Sequence, residues 1–192
     1  MAPPAETPPD DELHQALLAL LRRPELPGIG EPGATATAFP RAGLFLGLLG
    51  FDDPSSSQQE MAAECYAELQ RQSLCVLARP IGLGGLLVAL ACCCQEVGCA
   101  VVLPAPRHVG AGEPPGLRQQ LFHETAGRYV LCIPADRQAD ARILAAEHGV
   151  PLWPLGRTGG RELVVRASDG ASGFREVVRV GLGALADTRQ GQ

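Results

Sequence analysis

Residues 79–104, RPIGLGGLLVALACCCQEVGCAVVLP, constrain this chain more than any other stretch. A tight glycine turn opens an apolar helix, and a β-like run follows. Glycine before a helix can serve two ends. It lets the helix start close against a sheet, and it leaves free N–H groups at the positive end of the helix dipole, where an anion such as phosphate can sit. The GxGG turn at 82–85 is compatible with both, so it is a candidate seat for a phosphorylated small molecule as well as a candidate hinge. The run predicts a helix from Gly85 to Val97, closed by Gly98 as a left-handed cap, with CAVVLP as a strand behind it.

The flanking segments supply the layers this helix needs. In DDELHQALLALLRR, Leu13, Leu17, Leu20 and Leu21 form one stripe, with acids ahead and Pro24 behind, which predicts a helix lying on the chain's own core. PELPGIGEPG reads as a linker. ATATAF and GLFLGLLG read as strands, the second apolar on both faces and therefore interior to a sheet. A serine near a helix start and Met61, Cys65 and Leu69 at four-residue spacing predict a helix from about 57 to 74. CVLA, as strand or turn, leads into the glycine turn.

Past a loop rich in Pro and Gly, LRQQLFHETAG reads as a short helix running into a turn, and RYVLCIP as a strand. PADRQADARILAAEHG predicts a helix with Ile143 and Ala146 facing inward and Gly149 as its cap. VPLWPLG, RELVVRA and GFREVVRV read as strands, with SDGASG turning between the last two, and GLGALADTRQGQ as a short final helix. The expected fold class is α/β (α+β): a layered sandwich with a central mixed β-sheet and helices against it. With 192 residues, 46% of them hydrophobic, one core is expected. The expected organisation is a tail, short helix and linker over 1–33, a single domain over 34–187, and a frayed tail over 188–192.

Composition removes whole classes of function. The sixteen cationic side chains are all arginine, and the chain has neither Lys nor Asn. A lysine-bearing phosphate loop and Schiff-base chemistry are thereby excluded. A net charge of −5 with scattered arginines argues against nucleic acid as a partner. No apolar run approaches the ~20 residues that span a bilayer, so no membrane partner is expected. Seven cysteines and no secretory leader lead to an expectation of reduced thiols and a cytoplasmic location. Cys92, Cys93 and Cys94 face three directions around one helical turn and cannot converge on one ion, so no metal site is expected. His123 beside Glu124 would make a base and its orienting carboxylate only if both aimed at one atom, which sequence neighbours rarely do. No GxSxG elbow, HExxH or acid pair of diagnostic spacing is present, and no catalytic residue is assigned.

The succession AGLFLGLLG, RPIGLGGLLVALACCCQEVGCAVVLP, LFHETAGRYVLCIP and GVPLWPLGRTGGRELVV resembles the C-terminal domain of the AIR synthase superfamily over about Arg41 to Asp187. The nearest likeness is to the second such domain of the phosphoribosylformylglycinamidine synthases, the glutamine-dependent amidating enzymes of purine biosynthesis. The layout is shared with the selenophosphate, thiamine phosphate and hydrogenase-maturation branches, whose glycine turns look less like this one. In the synthases the turn has the form His, Asp, hydrophobe, Ser, Asp, Gly, Gly, Leu. Here the matching residues are Arg79, Pro80, Ile81, Gly82, Leu83, Gly84, Gly85 and Leu86. Both glycines and the leucine remain, while both aspartates and the serine are gone.

The resemblance implies that Gly84 and Gly85 descend from a ligand turn, and that Glu124, Thr125 and Ala126 in the LFxExxGR segment correspond to a stretch that lies along substrate in the tandem copy. Glu124 could instead cap a turn or pair with Arg128. The resemblance also implies ATP and Mg²⁺ in the parent enzymes, held by an N-terminal half that residues 1–40 do not resemble. The chain alone is therefore expected to bind no cofactor and to be inert as a synthase. Its expected partners are an ATP-binding half and a glutaminase.

Overall fold

The computed structural model describes residues 11–23, 41–94, 96–104, 116–168 and 173–190. Seven strands form one mixed sheet: β1 (Phe45–Leu49), β2 (Leu77–Pro80), β3 (Cys99–Val102), β4 (Tyr129–Ile133), β5 (Leu152–Thr158), β6 (Glu162–Ser168) and β7 (Phe174–Gly181). Their spatial order is β2-β4-β1-β5-β3-β6-β7. Among the described residues the β3–β6 pairing is parallel and the other five are antiparallel. The helices among the described residues are α1 (Asp11–Leu21), α2 (Ser56–Arg71), α3 (Gly85–Cys93), α4 (Leu117–Phe122), α5 (Gln138–Glu147) and α6 (Leu182–Gln190), with a 3-10 turn at Ala135–Arg137 ahead of α5. The layered sandwich expected from the sequence is the architecture observed.

Period-2 alternation divides the core between the two faces of the sheet. Leu46 and Leu48 of β1, with Val130 and Cys132 of β4, join one cluster with α1, α3, α4 and α6. Phe45 and Leu49, with Leu131 and Ile133, join the other with α2 and α5. All five residues of β1 are buried, as its two-faced apolar pattern requires of an interior strand. Leu13, Leu17 and Leu21 of α1 are buried in the first cluster, so that helix lies on the chain's own core. The boundary expected at residue 33 falls outside the described residues, as do ATATAF and most of the turn between β6 and β7. The α6 helix runs on to Gln190, into the stretch expected to fray.

Several local expectations are corrected. The inward stripe of α2 is Ala62, Cys65 and Leu69, while Met61 is exposed. A capping box at Ser55 starts α2, and its last helical residue is Arg71, three residues short of the expected end. The β2 strand is LARP, two residues beyond CVLA; Pro80 is tolerated because β2 is an edge strand that ends there. In α5 the buried residues are Ala141, Leu144 and Ala145, and Ile143 is 58% exposed. Small alanines let the helix sit close to β5, and the stripe follows their spacing rather than the largest side chain. Gly149 does close α5 with a positive φ of 66°.

The α3 helix stops at Cys93, four residues before Val97. Gly98 has no positive φ, and its role is close approach: a Cβ there would lie 2.2 Å from the backbone oxygen of Glu162. Its N–H donates to the Gly160 carbonyl, and its carbonyl accepts from Gly159 N–H. The glycine expected to cap a helix therefore docks β3 against the start of β6.

Candidate functional site

The site is built where β2, α3 and the end of α4 meet. Pro80 pairs with Tyr129 at the end of the β2–β4 ladder, and Ile81 N–H then donates to the Arg128 carbonyl at 2.8 Å. Held there, the chain turns through Gly82 and Leu83, both exposed, and enters α3 at Gly84 and Gly85, both buried. Gly84 is the N-cap residue with φ 83°, and Gly85 follows with φ 72°. Two successive left-handed residues favour glycine strongly. Gly85 has a second reason: a Cβ there would sit 2.5–2.7 Å from the Leu121 oxygen and the Phe122 backbone, so α3 starts in contact with the last turn of α4.

A glycine N-cap has no side chain to satisfy the first N–H groups of the helix. Here the satisfaction comes from 40 residues away: Gly84 N–H donates to Glu124 Oε1 at 2.9 Å. The carboxylate also complements the positive end of the α3 dipole. Gly85 N–H closes the turn on the Gly82 carbonyl at 2.9 Å. The two motifs singled out in the sequence thus form one structure, with the second supplying the anion for the first.

The residues beside Glu124 have separate partners. Thr125 is buried, and its hydroxyl lies 2.8 Å from Nδ1 of His123. Ala126 is exposed on the turn that follows. Arg128 pairs with Asp52 at 3.2 Å, not with Glu124, and burial lowers the guanidinium's pKa while Asp52 opposes that shift. Arg128 Nε and, on β2, Arg79 Nε are buried without a hydrogen-bond partner among the described residues. His123 and Glu124 point to different atoms and do not form a base with its orienting carboxylate. Asp52 was missed from sequence because the ion pair joins segments 76 residues apart, and no local spacing signals it. In the LGxTG stretch, buried Thr158 accepts from Leu44 N–H at 2.9 Å and donates to the Arg41 carbonyl at 2.6 Å, which pins the approach to β1.

The donor set of the turn does not fit Mg²⁺ or a triphosphate. Hard cations need several oxygen ligands. Leu83, 41% exposed, puts hydrocarbon at the outer edge of the turn, and the carboxylate that reaches it, Glu124, already accepts from Gly84 N–H through Oε1 and is a single ligand group. No group of three or more His, Cys, Asp or Glu side chains among the described residues has metal-binding geometry. No described helix is long and apolar enough to cross a membrane.

Residues 42–167 match the family model described as AIR synthase related protein, C-terminal domain. Solved structures share the fold. PurL of Thermotoga maritima complexed with ATP superposes with a TM-score of 0.61 at 18% identity, covering 76% of this chain and 26% of that one. Phosphoribosylformylglycinamidine synthase II from the same organism gives a TM-score of 0.60 at 19% identity with the same coverage. The T. maritima PurL complex with FGAR gives 0.62 at 16% identity, covering 76% of this chain and 28% of that one. The chain thus spans about a quarter of the length of these structures.

Proposed function

This chain belongs to the AIR synthase related protein C-terminal domain family, and we propose that it serves as a non-catalytic domain of a phosphoribosylformylglycinamidine synthase, completing an interface or a substrate wall for a catalytic partner. The observation that carries this reading is the Glu124 carboxylate on the Gly84 N–H. An anion seat already holding the protein's own carboxylate repels a second anion and offers it one fewer donor. The parent chemistry, amidation driven by ATP and Mg²⁺, needs a held triphosphate and metal. In this reading both come from an ATP-binding half, and ammonia comes from a glutaminase. Gly84, Gly85, Glu124, Thr125 and Ala126 then shape the wall that faces that half.

Calorimetry on the chain alone, with phosphoribosylformylglycinamidine and with ATP and Mg²⁺, tests the reading. No saturable heat is expected from either, and co-purification from the native cell should bring down an ATP-binding half or a glutaminase. Saturable binding of the nucleotide with its cation, or amidation by the isolated chain, would refute it.

A second reading is a binding module for a phosphorylated metabolite without turnover. It is favoured by the open space around Gly82, where an added Cβ meets no atom within 4 Å. Saturable heat from the phosphate ester with none from ATP would select it.

A further inference from the structure

Two cysteines of the 92–99 stretch meet between α3 and β3. Cys94 is the C-cap residue of α3, and Cys99 is the first residue of β3. Their sulfurs are 3.2 Å apart, with the Cys94 thiol directed at the Cys99 sulfur. Both residues are 1% exposed. A disulfide needs sulfurs at about 2.05 Å, so about 1.2 Å of approach separates the two thiols from a bond, a distance within the reach of small χ1 rotations.

We propose that Cys94 and Cys99 are an oxidisable pair, which hydrogen peroxide converts to a disulfide tying the end of α3 to the start of β3. In the first step one thiol sulfur attacks the peroxide; the O–O bond breaks, a sulfenic acid forms and water leaves. In the second step the other thiol attacks the sulfenic sulfur, the S–S bond forms and a second water leaves. The pair loses two protons and two electrons, and peroxide is reduced to two waters.

Burial decides which oxidant can act. Peroxide is small and uncharged, whereas glutathione disulfide is bulky and charged and cannot reach sulfurs that are 1% exposed. The Cys99 thiol is raised by its hydrogen bond with Cys94 first and by burial second. Cys99 is therefore held mainly as the thiol near neutral pH, so its oxidation is slow and specificity comes from placement rather than intrinsic reactivity. Cys65 and Cys75 are each pushed up to about 11 by burial alone. The competing arrangement is Cys93 with Cys132, whose interaction helps to raise the buried Cys93 thiol. Closing the Cys94–Cys99 bond ties the C-terminal end of α3 to the first residue of β3.

The test uses the full chain, treated with limiting hydrogen peroxide, quenched by alkylation and analysed by intact mass and tandem mass spectrometry. The expected product is lighter by two hydrogens, carries the bond between Cys94 and Cys99, and melts at a higher temperature than the reduced protein. Cys99→Ser should abolish that product, while glutathione disulfide should leave the folded protein unmodified. A bond between Cys93 and Cys132, sulfinic acid without any bond, or a glutathione adduct on either sulfur would overturn the proposal. The mapping on the unaltered chain decides the matter even if the serine variant fails to fold.

Discussion

Replacing Gly85 with alanine tests whether the glycine turn is built for packing. The residue has φ 72°, and the added methyl would lie 2.5 Å from the Phe122 carbonyl carbon, 2.6 Å from its Cα and 2.7 Å from the Leu121 oxygen. The left-handed conformation costs an alanine ~1–2 kcal/mol. Ordinary contact begins at about 3.4 Å, so the ends of α3 and α4 must separate by about 0.9 Å at the closest approach, and all three obstacles are backbone atoms that cannot swing aside. Overpacking of this kind costs ~1–3 kcal/mol. The sum, ~2–5 kcal/mol, is a large share of the ~5–15 kcal/mol that holds an ordinary domain together. Gly82 is the control. It has no positive φ, and a Cβ there meets nothing within 4 Å, so Gly82→Ala should change stability by no more than ~0.5 kcal/mol. Urea unfolding of both variants near neutral pH reads the difference directly, with the slope unchanged. Equal losses in the two variants, or a loss below ~1 kcal/mol for Gly85→Ala, would refute the account of the turn as a packed hinge.

Two further outcomes follow from the same structure. Glu124→Ala removes the acceptor of the Gly84 N–H and should cost ~1–2 kcal/mol, with faster hydrogen exchange at the Gly84 amide; an unchanged exchange rate would show that the carboxylate does not cap α3. Glu68 is held at about 2, below its ordinary 4.5, by hydrogen bonds from Arg71 first and Gln72 second. A carboxylate with a depressed folded value contributes stability above about 4.5 and loses it as pH falls through about 2. The melting temperatures of the wild type and Glu68→Gln should therefore converge across that window, and a constant gap down to pH about 2 would contradict the assignment.

The sequence was most informative where pattern and burial coincide. The two-faced apolar run of β1 announced an interior strand, and the leucine stripe of α1 announced its buried face, because those signals are local. Phase failed in α5, where Ile143 and Ala146 were expected inward but are both exposed, while Ala141, Leu144 and Ala145 are the buried residues. Gly98 failed for a related reason: a glycine after a helix fits a cap equally well as a close backbone approach, and only the position of Glu162 distinguishes them. The motifs of the candidate site were legible one at a time. Their union was not, since the bond from Gly84 to Glu124 crosses 40 residues and depends on how α3 and α4 pack.

The strand order has a kinetic consequence. Of the six neighbouring pairs in the sheet, only β6 and β7 follow one another along the chain; every other strand must find a partner across at least one intervening strand or helix. The β6–β7 hairpin can form early, but β1 must await both β4 and β5 before its apolar faces are covered. Loop-closure entropy has to be met before those distant contacts offset it, so refolding should be slow for a domain of this size, with unpaired apolar strands prone to aggregation in the interval.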